Sequence, residues 1–173
     1  MPRSLGPAEK ALLIHYIEDR FAIPPLALAP FEILTFSRQA FLMRRPPRAF
    51  EWQSPYFVRA GLPFLRDAAG FLKPTTCFIQ RFGHLARKNR IELDRTRLAQ
   101  LCTNGEITLD EEEVSRRAKG EQVLSPTGYV IIDVAGHPLG CCLLVEGNRL
   151  LNRLPKSLRN AFKLPEEGQG ALQ

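Results

Sequence analysis

The chain has 173 residues, 45% of them hydrophobic, with a formal net charge of +6 and an isoelectric point near 9.5. That length and apolar content describe a folded chain with a real core, in one large domain or two small ones, and exclude a disordered tail protein. No run approaches the ~20 apolar residues that span a bilayer, and MPRSLGPAEK lacks a hydrophobic signal core.

Ser4 to Phe21 reads as a helix. Ser4 or Gly6 can cap it, Pro7 suits its first turn, and Glu9 lies at its positive end. Leu12, Leu13, Tyr16, Ile17 and Phe21 recur at helical spacing and are expected to face a core. Ile23-Pro24-Pro25 stops it. Phe31 to Met43 is read as two strands turning at Ser37-Arg38-Gln39. Arg44 to Arg48 is a proline-rich basic loop, Trp52 to Val58 an edge strand carrying Pro55, and Gly61-Leu62-Pro63 a turn.

Pro74 marks a boundary, and Thr76 to Phe82 fits either a helix or a strand. Gly83 to Asn89 is a basic turn region, and Ile91-Glu92-Leu93 a short strand. Asp94 caps a helix to about Cys102, with Leu98 and Leu101 inward, and Asn104-Gly105 ends it. Asp110 to Glu113 opens a further helix whose acids come first and whose Arg116, Arg117 and Lys119 come last, which the helix dipole favours. Tyr129 to Val134 is a β-branched strand, Ala135 to Pro138 a turn, Leu139 to Val145 the returning strand, and Gly147-Asn148 a second turn from which Arg149 to Leu151 can pair again. The segment 149–163 that leaves this meander carries Arg149, Arg153, Lys156, Arg159 and Lys163 and no acid.

At these residues the chain resembles a known family. The order strand, Pro138-Leu139-Gly140, strand, then Leu154-Pro155-Lys156-Ser157-Leu158-Arg159 resembles the PUA-like C-terminal domain of Sun-family RNA cytosine-5 methyltransferases. Here Cys141-Cys142 follow the Leu-Gly, where that family has aromatic and Lys residues. The whole layout, with Thr76-Cys77-Phe78, Phe82 and the basic run Arg87-Lys88-Asn89-Arg90 before the meander, is similar to small two-domain ribosome-biogenesis factors of archaea and eukaryotes. Both resemblances imply an α+β chain: a small N-terminal α/β, pre-PUA-like domain over 1–72, a PUA-like mixed β-barrel with short helices over 73–164, and a flexible tail over 165–173.

Catalytic signatures are missing from the sequence. It has no G-x-G turn for a methyl donor, no cysteine after a proline, no P-loop and no Ser-His-Asp pattern, so no enzyme and no cofactor are expected. His15, His84 and His137 lie far apart. None of Cys77, Cys102, Cys141 and Cys142 forms a C-x-x-C pair, and neighbours on a strand point to opposite faces. No metal is expected, and the thiols suit a buried, reduced state in the cytoplasm.

The expected partner is structured RNA, rRNA or tRNA, with ribosome-assembly proteins as further candidates and no membrane. The expected RNA-binding residues are Arg149, Arg153, Lys156 and Arg159 along one rim, joined by Arg87, Lys88 or Lys119. Pro155 is read as breaking regular structure, which would leave Lys156 and Arg159 on an exposed turn. Two alternatives stand beside a non-catalytic RNA binder. One is a protein–protein adaptor in ribosome assembly. The other is an accessory subunit or remnant of an RNA cytosine-5 methyltransferase without its catalytic domain.

Overall fold

The computed structural model describes residues 3–44, 61–68, 70–110, 124–146 and 148–163. The edge strand expected at Trp52 to Val58, the helix after Asp110, most of the loop to Arg48, Gly147 and the tail all lie outside these residues.

Helix α1 spans Pro7–Phe21, with Pro7 in its first turn. Gly6 is its N-cap, and Glu9 accepts from the Gly6 N–H at 2.9 Å while Arg3 grips the same carboxylate at 2.7 and 2.8 Å. Ser4 is not the cap; it belongs to a two-residue strand, β1, Arg3–Ser4. The buried stripe of α1 runs through Ile17 and Phe21, with Leu13, Ile14 and Tyr16 beside it. Leu12, expected inside, falls off that stripe and is 69% exposed. At ~100° per residue its five-position offset from Ile17 turns it away.

The first sheet is an antiparallel meander of β1, β2 (Phe31–Phe36), β3 (Gln39–Arg44), β4 (Leu62–Ala68) and β5 (Phe71–Pro74). Leu62 and Pro63 were expected in a turn and instead open β4. Pro63 pairs with Phe41 beside a register shift, the kind of ladder irregularity that tolerates a residue without an N–H. The β4–β5 hairpin turns through Gly70 (φ 87°), whose N–H donates to Asp67 at 2.8 Å.

Thr75 then caps helix α2, Thr76–Phe82, by accepting from the Phe78 N–H, which settles that segment as a helix. Phe78 packs edge-on against Phe64 of β4, with ring centroids 4.8 Å apart.

The second sheet has the order β6 (Arg90–Glu92), β8 (Gly128–Val134), β9 (His137–Val145), β10 (Arg149–Leu151), β7 (Glu106–Thr108). β6 runs parallel to β8 and the other pairs are antiparallel. Helix α3, Arg95–Asn104, capped by Asp94, joins β6 to β7, and helix α4, Lys156–Phe162, packs against α3. The tight turn of the β8–β9 hairpin is Ala135-Gly136, both at positive φ. His137 and Pro138, expected in that turn, are the first residues of β9 and pair with Val134 and Asp133. Among the described residues neither sheet closes on itself, so the expected barrel is not completed by these pairings.

Two apolar clusters form among the described residues. Ile17 and Phe21 of α1, Phe64 and Leu65 of β4, and Phe78 and Ile79 of α2 meet Ile131 and Cys141 of the second sheet. On the opposite face, Val130, Ile132, Cys142 and Leu144 meet Leu98, Leu101, Leu150 and Leu154. The central strands β8 and β9 therefore serve both clusters.

Candidate nucleic-acid interface

The sequence-predicted cations occupy different settings. Arg149 is exposed on β10 and pairs with Glu106 at 2.8 Å. Lys156 is exposed in the first turn of α4. Arg159 is half-buried on the same helix, and its buried Nε has no partner among the described residues. The exposed turn expected here is thus a helix, because a proline directly before a first turn removes an N–H that has no intrahelical acceptor.

The backbone N–H groups of Arg87 and Lys88 both donate to the Phe21 carbonyl, at 2.9 and 3.1 Å, and tie their loop to the end of α1. Buried Asn89 completes that tie by donating to the Arg20 carbonyl and accepting from the Ser125 N–H. Lys119 lies outside the described residues.

Arg153 opens into a different place, a cleft of about 910 Å³ between the β4–β5 hairpin and the β8–β9 strands, with α1 at its base. Among the described residues, five cations line it, Arg20, Arg38, Arg66, Lys73 and Arg153, against one carboxylate, Asp67. That carboxylate is engaged by Arg38 at 3.3 Å and by the Gly70 N–H. Tyr16, Tyr129 and Phe71 supply aromatic surface, and Phe71 is 73% exposed.

Helix α1 fastens both walls. One turn apart, Tyr16 Oη donates to the Leu72 carbonyl of β5 at 2.7 Å, and Arg20 Nε donates to the Tyr129 carbonyl of β8 at 2.8 Å. The Arg20 guanidinium lies against Gly128 so closely that a Cβ there would sit 2.8 Å from Cζ. Gly128 has φ 109°, a conformation glycine adopts without strain.

Burial lowers the pKa of both Arg20 and Lys73 and raises those of the Tyr16 and Tyr129 hydroxyls. Cations desolvated in this way form a site that an anion would stabilise.

Of these five cations the sequence reading placed only Arg153 among the expected RNA contacts, since Arg20, Arg66 and Lys73 stand outside the basic runs and Arg38 was read as a turn residue. A signal was present in Arg66-Asp67-Ala68 and Phe71-Leu72-Lys73, alternating residues on either side of an Asp-to-Gly turn.

Burial pushes the Cys141 thiol far up and the Cys142 thiol up to about 12, so neither offers a thiolate. Among the described residues no three His, Cys, Asp or Glu side chains gather as a metal centre would require, and no helix is long and apolar enough to cross a membrane.

Residues 88–160 match the family model described as the methyltransferase RsmF PUA domain. No curated protein matches the chain. The matched segment takes in the whole second sheet, α3 and most of α4. A PUA domain points to RNA as the partner. The C-terminal half of this chain carries a PUA-like domain resembling that of the Sun-family methyltransferases.

Proposed function

We propose that the chain is a non-catalytic RNA-binding protein of the cytoplasm that holds structured RNA, rRNA or tRNA, during ribosome biogenesis or RNA modification. The family match over residues 88–160 carries this reading, and the cationic cleft beside the matched segment supports it. Lys and Arg side chains neutralise phosphates and release their counterions, while backbone groups and a few side chains select the folded shape of the RNA. Non-catalytic action accords with Cys141 and Cys142, whose thiols burial holds in their neutral form, and with the missing methyl-donor turn.

The adaptor reading keeps one observation in its favour: Leu12 and Leu26 are 69% and 81% exposed on the N-terminal side. Binding to rRNA hairpins and to DNA hairpins of equal charge, measured across a salt series, separates the two. The RNA-binding reading expects tighter binding to the rRNA hairpins and a log–log fall of affinity with salt. Equal binding to the DNA, or none to either, together with protein partners that survive ribonuclease treatment in a pull-down, would favour the adaptor.

A further inference from the structure

We infer that the cleft between the two sheets takes a single-stranded RNA segment, with a base stacked on Phe71 and phosphates held by Arg66, Lys73 and Arg153. This rests on the RNA-binding reading above and specifies where, and in what form, the RNA sits.

The register of the β4–β5 hairpin carries the argument. Arg66 and Lys73 are direct cross-strand partners, and Ala68 pairs with Phe71 at the rung nearest the turn. Residues two apart on a strand share a face, so Arg66 and Lys73 stand side by side on the face that also presents Phe71. Like charges directly opposite each other in an antiparallel ladder repel and destabilise it. The neighbouring carboxylate does not relieve them, because Asp67 has the intervening position and is bound to Arg38 and to the turn. An anion between the two cations would turn the repulsion into attraction.

Lys73 still has capacity for one. Its ammonium carries three donors, and one goes to the Arg153 carbonyl at 2.8 Å. That bond also brings the Arg153 residue to the Lys73 end of the cleft, so a third cation belongs to the same cluster.

Phe71 selects the form of the anion. It is 73% exposed on β5, an edge strand of its sheet, and at the lip of a cationic cleft. Two residues along a strand cover about 6.6 Å, so a base over Phe71 and a phosphate at Lys73 are one nucleotide's reach apart. A cationic groove with an aromatic platform is the arrangement that holds unpaired strands, whose bases can turn out and stack. A duplex keeps its bases stacked on one another and offers phosphates, 2′-hydroxyls and base edges, none of which stacks on Phe71.

The test uses the full chain and fluorescence anisotropy with a labelled oligouridine, a blunt RNA duplex and an oligothymidine of equal length. Variants are Phe71→Ala, the double change Arg66→Glu with Arg153→Glu, and Arg95→Glu as a control on exposed α3. Thermal melting establishes that each is folded. The expected result is that oligouridine binds more tightly than the duplex. Phe71→Ala should weaken it about fivefold or more, the effect of one lost stacking platform. The double variant should weaken it further and reduce the salt slope by about 1.4, the share of two phosphate contacts on a single strand. Arg95→Glu should leave oligouridine binding unchanged.

If the wild type prefers the duplex, or binds oligouridine undiminished by the cleft variants, the inference fails while the RNA-binding reading stands. Tighter binding of oligothymidine than of oligouridine likewise overturns RNA as the occupant of the cleft. If the wild type binds neither RNA, both readings fall.

Discussion

Lys73 Nζ donates to the carbonyl of Arg153 at 2.8 Å, across 80 positions of sequence. The bond links the Arg66–Lys73 rung of the first sheet to the segment that leaves the second. With Tyr16 on Leu72 and Arg20 on Tyr129, it fixes how far apart the cleft walls stand. Replacing Lys73 with Met keeps the stem and removes the donor. Because the bond is solvent-exposed, the stability lost should be modest, about 1 kcal/mol. Chemical denaturation should show this as a lower midpoint at unchanged m-value.

Gly128 should tolerate no side chain. Alanine there would have to hold φ 109° and would press on the Arg20 guanidinium. The expected cost of Gly128→Ala is about 1–3 kcal/mol. Shortening Arg20 to Ala in the same chain should recover the part due to collision, giving a double-mutant cycle that departs from additivity. Strict additivity would mean that the two residues do not press on each other.

Asp133 is 4% exposed and accepts two bonds from Arg90, at 2.7 and 2.9 Å, clamping the parallel pair β6–β8. Asp133→Ala strands a partly buried guanidinium and should cost about 3 kcal/mol or more. Replacing both partners with apolar residues of similar size should cost less than the single change. Calorimetric melting of the three variants reads this order directly.

The Glu9 carboxylate is lowered to about 2 by the Arg3 fork and the Gly6 N–H. A carboxylate whose folded value is depressed contributes stability above its ordinary value and loses it as pH falls through the folded one. The melting advantage of the wild type over Glu9→Gln should therefore be constant at neutral pH. It should shrink as pH falls from 4.5 toward about 2 and vanish below that. Both partners are solvent-exposed, so added salt should also reduce it.

The β8–β9 hairpin was legible because β-branched residues run unbroken from Val130 to Ile132 and the turn residues follow. The helix at Arg95 was legible from its Asp cap, and α1 from its proline and glutamate. The β4–β5 hairpin was missed because Pro63 reads as a breaker, and only tertiary pairing beside a bulge shows where it is tolerated. The cleft was missed for another reason. Runs of basic residues mark charge density along the chain, whereas the cleft draws single cations from α1, β4, β5 and the segment after β10. Arg159, expected on an exposed turn, shows the reverse error, since it is only partly exposed on α4.

Burying both faces of β8 and β9 changes what holds them in alignment. In a sheet with one wet face, a slip of one residue would throw the apolar set into water, and that cost fixes the register. Here a slip would exchange Cys141 for Cys142 and Ile131 for Ile132, apolar for apolar, with little change in burial. Alignment therefore falls to local features: the Ala135-Gly136 turn, the irregularity between Ile132 and Asp133, and the Arg90 grip on Asp133. A longer turn at Ala135-Gly136 would leave the composition of both cores intact and still produce chains with misaligned ladders, visible as doubled amide resonances in strands that a point change in either core would leave single.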